Sequence, residues 1–349
     1  MDKETRIQNC IGRIAAWYPG VRRSLPWRES PTPYRVWISE IMLQQTRIEA
    51  VIPYYERFLH EFPDPAALAA AEDDRLMKLW EGLGYYSRAR NLKKAAVRMV
   101  EEYGGQLPRT AAELKKLPGI GDYTAGAIAS IAWGAPEPAV DGNVLRVLSR
   151  VLESGEDILA PKTRAAMTQL LRRHYPAGEQ AALVTEGLME LGETICIPNG
   201  EAACGACPLA PLCLARQNGS VSRYPVKAPP KARRAEERTV LLLRCGLRWA
   251  VRRREERGLL AGLWEFPNLP GRLSAEQAAA EIRKLGGAPV SCVPCGEAKH
   301  VFTHIEWHLT GFLAEVEAEI PAFTWKTARE IRAECSIPTA LKAYWKKIS

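Results

Sequence analysis

Two carboxyl side chains, Glu40 and Asp141, are the groups in this sequence best suited to chemistry. Glu40 stands within residues 37–46, where apolar neighbours on a predicted helix would remove it from water. Loss of water raises the pKa of a carboxyl group, so such an acid stays protonated near neutral pH and can serve as a general acid. A structural acid is the alternative interpretation of Glu40.

Asp141 precedes Gly142-Asn143, where a new helix is predicted to begin. An aspartate at that point is often a helix N-cap, so a structural role is equally open for Asp141. Together the two carboxyls supply the parts of glycoside cleavage: an acid that protonates the leaving group and a carboxylate that faces a developing sugar cation. Cleavage of the N-glycosidic bond of a nucleotide needs the same two parts.

A glycine turn lies before Asp141, in the sequence Leu-Pro-Gly-Ile-Gly-Asp-Tyr of residues 117–123. Gly119 and Gly121 permit a sharp turn between two helices and bring backbone N–H groups close to an anion. The second helix would begin there with the positive end of its dipole. Such a turn predicts a grip on a DNA phosphate that does not depend on base sequence.

Four cysteines of the nine crowd into one short segment with the spacing Cys-x7-Cys-x2-Cys-x5-Cys. Four thiolates hold either a tetrahedral zinc ion or a 4Fe–4S cluster, and the spacing alone does not choose between them. Elsewhere, Cys292-x2-Cys295 is more simply explained as two unrelated cysteines. This usage favours a reduced compartment with one metal site over a disulfide framework. The four clustered cysteines are Cys196, Cys204, Cys207 and Cys213.

Helices over residues 1–215 must position these groups. Apolar periodicity predicts a helix from Ser87 that ends at Gly104-Gly105, and the segment 82–84 is a predicted turn. Further helices are predicted over residues 36–43, 53–59, 73–79, 123–133, 144–152 and 180–191.

From residue 239 the period changes to that of short strands, which predicts an α+β domain over 239–349. The proline-rich basic segment 222–238 is a predicted linker that either follows a phosphate backbone or is a solvated spacer. Residues 1–221 form the predicted catalytic domain. The predicted strands are 239–245, 249–254, 263–267, 288–293, 300–304 and 307–316, and the predicted helical segments are 274–284 and 338–348.

The 349 residues carry a net charge of +8, which suits an anionic partner, although solvated surface lysines explain it equally well. Basic and acidic side chains balance within residues 1–221, so DNA binding there would need local patches and backbone N–H groups. No run of apolar residues reaches the length of a membrane span, and no secretory signal is apparent near the N-terminus. We expect no membrane partner.

Taken together, these residues resemble the helix-hairpin-helix DNA glycosylase superfamily and, within it, the MutY-type adenine DNA glycosylases. The resemblance covers nearly the whole chain, and the combination of motifs is specific although no single motif is. Besides the four cysteines, the motifs are WISEIMLQQTRIE, EGLGYYSRARNL, LPGIGDYTAGAI, PAVDGNVLRVLSR, GLLAGLWEFP and HVFTHIEWHL.

The resemblance implies a multi-domain protein with an all-α glycosylase domain, made of a six-helix barrel module and a cluster-bearing module, followed by an α+β Nudix-like domain. It implies base excision of adenine mispaired with 8-oxoguanine or guanine in double-stranded DNA, by base flipping. Glu40 would protonate adenine and Asp141 would stabilise the oxocarbenium-like sugar. We expect a monomer in the bacterial cytoplasm that acts at the nucleoid.

Further roles follow from the same resemblance. Tyr123, Asn143 and Glu186 match positions that support the catalytic pair. Gln45 and Tyr85 match residues that wedge into the base stack, with ordinary packing as the alternative, and Thr46 and the two hairpin glycines join them as DNA-binding positions. The residues that match the adenine pocket are Arg23, Trp27, Arg28 and Leu43, of which the arginines have phosphate contact as an alternative.

Tyr123 and the four cysteines indicate to which branch of the superfamily this chain is similar and which metal it would bind. Bifunctional relatives carry a lysine at the position of Tyr123, whose amine forms a Schiff base and cleaves the strand, so a tyrosine implies base removal alone. The cysteines resemble the family's 4Fe–4S loop, which favours iron. The first gap is seven residues where the family commonly has six, a change that a loop tolerates.

The C-terminal domain resembles a Nudix fold but lacks the glutamate-rich helix that binds magnesium in nucleotide hydrolases. It is therefore expected to recognise the lesion rather than hydrolyse a nucleotide. Phe302, Thr303 and His304 match a loop that senses 8-oxoguanine, where the family commonly has serine at the position of Thr303. An ordinary histidine at a strand end is the alternative for His304.

Two competing functions remain open from the sequence. One is an oxidised-pyrimidine glycosylase with lyase activity, similar to endonuclease III, against which Tyr123 and the C-terminal domain argue. The other is a DNA-damage binder without catalysis, against which the presence of both Glu40 and Asp141 argues.

Overall fold

The computed structural model describes residues 1–229 and 232–348, which form two compact units. The first unit comprises Met1–Ala70 and Arg90–Pro229, and the second comprises Ala71–Ala89 and Pro230–Ser349. Among the described residues, no helix combines the length and the apolar character that crossing a bilayer requires.

The first unit is helical, as the periodicity predicts. Thr32 caps the helix Pro33–Leu43 by accepting a hydrogen bond from the backbone N–H of Arg35, and Pro33 occupies the first helical position. The helices up to the cysteine segment and just beyond it are α1 (Lys3–Trp17), α2 (Pro26–Glu29), α3 (Pro33–Leu43), α4 (Ile48–Glu61), α5 (Pro65–Ala69), α6 (Asp73–Trp80), α7 (Ser87–Tyr103), α8 (Ala111–Leu114), α9 (Asp122–Trp133), α10 (Gly142–Leu152), α11 (Pro161–Arg172), α12 (Glu179–Thr194) and α13 (Leu214–Gln217).

One core of the first unit includes α10 and α12, two of the helices at the candidate site. Helices α1, α10, α11 and α12 bury an apolar cluster that extends to the cysteine segment. Helix α9 packs against both α3 and α12, and α10 packs against α12. The helices that bear Glu40, Tyr123 and Glu186, and α10, which Asp141 caps, therefore pack in succession: α3 on α9, α9 on α12 and α12 on α10.

Helix α6 and the turn after it pack with the second unit, although the predicted boundary between the domains lies at residues 222–238. Lys78 Nζ donates to the carbonyl of Cys335 at 3.1 Å, and a Glu81 carboxylate oxygen accepts from the backbone N–H of Ile337 at 3.2 Å. Helix α6 also contacts a helix near the C-terminus, residues 328–334. These hydrogen bonds join segments that are far apart in sequence, which a local pattern does not reveal.

A seven-stranded sheet forms the second unit, with a central strand order β3-β2-β1-β6-β5, β4 beside β1 and β7 beside β2. Strands β1 and β6 are parallel, and the other pairs are antiparallel. The elements are β1 (Arg234–Cys245), β2 (Arg248–Arg253), β3 (Trp264–Glu265), β4 (Asn268–Pro270), α14 (Ala275–Lys284), β5 (Pro289–Val301), β6 (Ile305–Val316), β7 (Thr324–Thr327), α15 (Ala328–Glu334) and α16 (Lys342–Trp345).

Both faces of this sheet are covered. Val240 and Leu242 contribute to the core on one face, and Leu241 and Leu243 to the core on the other. A strand buried on both faces needs a continuous apolar run, which explains why residues 240–243 do not alternate with polar residues.

The predicted linker, 222–238, and the predicted helix, 338–348, differ from the structure. Strand β1 begins at Arg234, inside the predicted linker, because residues 234–238 pair with β6. Near its start the linker is held by a hydrogen bond in which the backbone N–H of Ile158 donates to the carbonyl of Val226 at 3.1 Å. Residues 230–231 of the linker lie outside the described residues. The predicted helix 338–348 consists of a 3-10 turn, Thr339–Leu341, and the short α16, because packing of this segment into the core replaces a regular helix.

The predicted strands 288–293 and 300–304 differ as well, because a single strand, β5, replaces them. Its register against β6 shifts between Pro294 and Gly296. Proline cannot donate to the ladder, and Gly296 has a φ of 111°, so a bulge lets the strand continue past both.

Candidate active site

Glu40 is buried on α3, with 7% of the residue exposed. Burial raises its pKa to about 7, and the charges of Asp141 and Glu186 act in the same direction. A hydrogen bond with Tyr123 and the charge of Arg28 act in the opposite direction. Near neutral pH a large fraction of this carboxyl therefore keeps its proton, as the sequence predicts. The four groups that influence it come from α2, α9, α10 and α12.

Asp141 is the N-cap of α10, and its Oδ1 accepts a hydrogen bond from the backbone N–H of Val144 at 2.8 Å. Burial raises its pKa, whereas hydrogen bonds from the backbone of Val144 and Asn143 and the charge of Arg146 favour the ionised form. The cap and the chemical role are compatible, because the cap fixes the carboxylate at the helix start while its charge still acts on Glu40.

Tyr123 lies in the first turn of α9 and faces both carboxyls. Burial raises the pKa of its hydroxyl well above the usual value, and the negative charges of Glu40 and Asp141 add to this effect. The hydroxyl also approaches the sulfur of Met189 at 3.7 Å. The residue is therefore a neutral hydrogen-bonding group at the site and provides no amine.

A buried ion network lies beside Glu40. Arg28 pairs with Glu190 (Nη2 to Oε2, 2.9 Å) and more loosely with Glu186 (Nε to Oε1, 3.7 Å). Arg23 donates to Glu190, and Arg22 approaches Glu186 at 3.5 Å. Sequence reasoning missed Glu190 and Arg22, although Glu190 stands four residues after Glu186, the spacing that places two side chains on one helix face.

The other predicted pocket residues come from the same region. Trp27 on α2 is buried and meets Tyr55 edge to face, with ring centroids 5.5 Å apart. Leu43, half-buried, is the last residue of α3, and α2 packs against α3. The guanidinium of Arg28 lies 5.6 Å from the centre of the Tyr18 ring. An aromatic ring, that of Tyr18, thus adjoins the ion network, and Leu43 lies at the end of the helix that bears Glu40.

The predicted hairpin forms between α8 and α9. The backbone N–H of Ile120 donates to the carbonyl of Leu117 at 3.2 Å. Gly119 has a φ of 81°, and a Cβ atom there would lie 2.8 Å from Cβ of Asn91. Gly121 is the N-cap of α9 and has open space where a Cβ would point. The turn requires glycine at the first position, and the second leaves the helix start accessible to an anion.

We expect Gly119→Ala to lower the free energy of unfolding by about 1–3 kcal/mol, because the substitution combines a strained φ with a contact against Asn91. Gly121→Ala is the matched control in the same turn. Its φ of −94° suits alanine, so its cost should stay below about 1 kcal/mol. Urea unfolding of both variants measures the difference, and equal losses would contradict the close packing assigned to Gly119.

The four clustered cysteines line one pocket, between α10, α12 and the segment after α12. Burial raises the pKa of Cys207 to about 11, and the charges of the other three add to this effect, so all four lie near one another. All four are free thiols, and within the described residues no group of three metal-binding side chains is arranged to hold an ion as it stands. The donor set and shared cavity nonetheless suit a metal cluster with four thiolate ligands.

Two arginines that sequence reasoning missed connect this segment to α10. Arg150 Nη1 donates to Cys196 Sγ at 3.2 Å and to the carbonyl of Ile197 at 3.1 Å. Arg146 donates to the carbonyl of Cys196 at 2.7 Å and to Asn143 Oδ1 at 2.8 Å. Their four-residue spacing on one helix is the signal that could have found them. Asn143 therefore links the start of α10, where Asp141 lies, to the cysteine segment.

Comparison with known proteins identifies the family. Residues 38–173 match the HhH-GPD superfamily of base excision DNA repair proteins, and residues 239–347 match the NUDIX domain. The chain is 34% identical to the adenine DNA glycosylase of Rattus norvegicus, over 94% of this chain and 76% of that protein. The chain belongs to the adenine DNA glycosylase family. The Homo sapiens adenine DNA glycosylase is also 34% identical, over 95% of this chain and 72% of that protein.

Solved structures support the same fold for the helical part of this adenine DNA glycosylase family member. A thermostable thymine-DNA glycosylase aligns with a TM-score of 0.56 at 26% identity, covering 61% of this chain and 98% of that chain. A trapped endonuclease III–DNA covalent intermediate aligns with a TM-score of 0.53 at 25% identity, covering 63% and 99%. The chain is thus a DNA glycosylase of base excision repair, with a helical HhH-GPD domain followed by a Nudix-like domain.

The two predicted wedge residues of this glycosylase share an unusual backbone. Gln45 has a φ of 57° and Tyr85 a φ of 47°, and both side chains are exposed. Thr46 is half-buried and its hydroxyl donates to the carbonyl of Gln44 at 3.3 Å. Residues other than glycine rarely adopt this conformation, and such strain is concentrated at functional sites. Because both side chains are exposed, core packing is excluded for Gln45 and Tyr85, and packing on the surface stays the alternative to the wedge.

The predicted lesion loop is the tip of the hairpin between β5 and β6. The backbone N–H of Phe302 donates to the carbonyl of Ile305 at 2.8 Å, which closes the turn. Thr303 and His304 are exposed at the tip, whereas the Phe302 ring packs edge to face on Trp307 at 5.0 Å. The structure therefore presents two polar side chains to solvent and anchors the third residue.

Proposed function

We propose that this chain removes adenine mispaired with 8-oxoguanine or guanine from double-stranded DNA, as a monofunctional glycosylase. The observation that carries the proposal is the buried carboxyl of Glu40, with a pKa of about 7, beside the capped carboxylate of Asp141. The names of the relatives, adenine DNA glycosylases, support adenine as the base. An adenine inside the base stack is out of reach of both groups, so the nucleotide must be flipped out.

In this mechanism Glu40 donates its proton to N7 of the flipped adenine. The bond from C1′ to N9 then breaks, and its electron pair leaves with the base. The sugar becomes an oxocarbenium-like cation, which the carboxylate of Asp141 stabilises until water adds at C1′. The proton that this water loses returns to the ionised Glu40, which restores the acid. Tyr123 and Asn143 hold the two carboxyls, and Glu186 adds negative charge beside the purine.

The remaining site residues take supporting roles in this proposal. Trp27 and Leu43 line the adenine pocket, and Arg23 and Arg28 border it. The hairpin grips a phosphate through the start of α9, at Gly119 and Gly121. Gln45 and Tyr85 each wedge into the base stack, and Thr46 contacts the DNA. Thr303 and His304, anchored by Phe302, read the base opposite adenine.

Tyr123 supports base removal without strand cleavage. A lyase needs an amine that forms a Schiff base with C1′, and a tyrosine hydroxyl cannot do so. The product is therefore an abasic site in an intact strand. Residues 1–221 are the proposed catalytic domain and residues 239–349 the proposed lesion-recognition domain of a monomer that works in the bacterial cytoplasm.

Cys196, Cys204, Cys207 and Cys213 are the proposed ligands of a 4Fe–4S cluster. Bound there, the cluster would supply an electron-transfer centre and would tie the loop to α10 and α12. We expect Cys204→Ser to lose the cluster iron and the visible absorption that accompanies it, because three thiolates hold the cluster poorly. Cys292→Ser, a half-buried cysteine of β5, is the control and should keep both. Iron analysis that finds zinc in a folded, colourless wild type would contradict the assignment.

Release of adenine from a duplex with one adenine opposite 8-oxoguanine tests the proposed function, in single turnover with enzyme in excess. We expect free adenine and an abasic site, with strand breakage only after alkali. The same duplex with guanine or thymine opposite adenine gives the partner preference. A wild-type enzyme that releases no adenine refutes the proposal, and efficient borohydride trapping of a covalent DNA adduct would favour a lyase instead.

A further inference from the structure

Helix α12 buries two carboxylates one turn apart against the same arginine. The side chains of Glu190, Glu186 and Arg28 are 2%, 9% and 9% exposed. Arg28 lies 2.9 Å from Glu190 and 3.7 Å from Glu186, so Glu190 is its closer partner. Glu190 also accepts a hydrogen bond from Arg23. A buried guanidinium needs a counter-charge, and Glu190 supplies the nearest one.

Arg28 is also the cation that acts on Glu40. The groups that influence Glu40 are Tyr123 from α9, Asp141 at the start of α10, Glu186 from α12 and Arg28 from α2. The two carboxylates favour the protonated form of Glu40, and Arg28 favours the ionised form. Any movement of Arg28 towards Glu40 would therefore lower the pKa of Glu40 and favour loss of the proton that the proposed reaction uses.

We infer that Glu190 is a positioning residue for the general acid: by pairing with Arg28 it holds this cation away from Glu40, which keeps its proton. The inference rests on the proposed role of Glu40 as proton donor. Without the charge of Glu190, the acid within ion-pair distance of Arg28 among the described residues is Glu186, at 3.7 Å, and Glu40 is a further acid on which the charge of Arg28 acts. The desolvated guanidinium then draws closer to Glu40 and favours its ionised form.

Carbon-13 NMR of the side-chain carboxyls of glutamate-labelled protein, without DNA, tests this inference. The Glu40 resonance is assigned by its loss in Glu40→Gln. We expect Glu190→Gln to lower the titration midpoint of Glu40 by about one pH unit, the size of effect that a closer opposite charge produces. Glu179→Gln, the same substitution at an exposed position in the first turn of α12, is the matched control and should leave the midpoint unchanged.

The route through Arg28 is tested by combining substitutions. Arg28→Gln should raise the midpoint of Glu40, and addition of Glu190→Gln to that variant should cause no further shift. An equal downward shift with and without Arg28 would overturn the inference, because Glu190 would then act directly. An unchanged midpoint in Glu190→Gln would overturn it as well.

If Glu190→Gln does not fold, Glu190→Asp retains the charge on a shorter side chain and loosens the pair. A smaller shift of the Glu40 midpoint in the same direction supports the inference, and an unshifted midpoint overturns it.

In single turnover, Glu190→Gln should lose roughly tenfold in rate at pH 8 and little at pH 6, which a merely structural defect would not produce. Because the titration needs no DNA, a wild type without adenine release would refute the proposed function and leave this coupling measurable.

Discussion

Asp141→Asn is expected to lower the single-turnover rate of adenine release by about 10³-fold, which corresponds to about 4 kcal/mol of transition-state stabilisation. An amide cannot balance the positive charge that develops on the sugar. The fold should persist, because asparagine is as good an N-cap as aspartate and can still accept from the backbone N–H of Val144. Affinity for the mispaired duplex should also survive, because the ground state carries little of this charge.

Asp64→Asn is the matched control for this substitution. Asp64 is also an N-cap aspartate, and its Oδ1 accepts a hydrogen bond from Ala67 N at 2.8 Å. The same chemical change at this exposed cap should leave adenine release near the wild-type rate. If Asp141→Asn released adenine at a similar rate, the carboxylate would be only a cap and its assigned role would fail. Fluorescence anisotropy with the labelled duplex measures the retained binding.

The sequence predicted most of the fold because local patterns dictate most of it. Residues 240–243 form an apolar run that suits a strand covered on both faces, and the structure places it in the centre of the sheet. The helices that carry Glu40, Tyr123 and Asp141 begin and end close to their predicted bounds. Each of these features depends on side-chain period, a cap or a glycine, all of which are local properties.

What the sequence did not predict depends on contacts between distant segments. The ion network of Glu190, Arg28 and Arg23 joins α12 to the segment around α2, and the packing of α6 with the second unit joins Lys78 to Cys335. The linker's end became part of β1 only because β6 offers it a partner. No local pattern encodes such pairings, and the spacing of Glu186 and Glu190 marks only a helix face.

The position of the proposed catalytic pair, Glu40 and Asp141, illustrates how local sequence patterns and long-range contacts combine. The apolar run around Glu40 predicts burial, and burial is the largest cause of its raised pKa. The neighbours that adjust this pKa belong to four other helices, α2, α9, α10 and α12, and their positions required the structure. In the proposed function, the raised pKa is useful only because Asp141 lies near enough for its charge to act on Glu40.

Glu40→Gln is expected to reduce adenine release by at least about 10³-fold, because the amide side chain cannot act as the general acid that protonates the leaving base.

The wild-type rate should depend on pH, because it follows the protonated fraction of Glu40. With a pKa of about 7, the protonated fraction of Glu40 falls roughly tenfold for each pH unit above neutrality. The rate should also fall in acid, as Asp141 becomes protonated at a raised pKa. Single-turnover rates should therefore give a bell-shaped pH profile, whose alkaline limb is centred near pH 7.

The same substitution should stabilise the fold at alkaline pH. The pKa of Glu40 is higher in the folded protein than its ordinary value of 4.5, so the folded state binds the proton more tightly than the unfolded state. The free energy of unfolding must then decrease as pH rises from about 4.5 to about 7, where the buried carboxyl ionises. Glutamine does not ionise, so the free energy of unfolding of the variant avoids a loss of about 3 kcal/mol at pH 8.

A variant that loses activity while gaining stability would identify Glu40 as a residue that serves the reaction and destabilises the fold. Glu49→Gln, exposed on α4, is the control and should change neither quantity, and a loss of stability in Glu40→Gln at pH 8 would contradict the assignment.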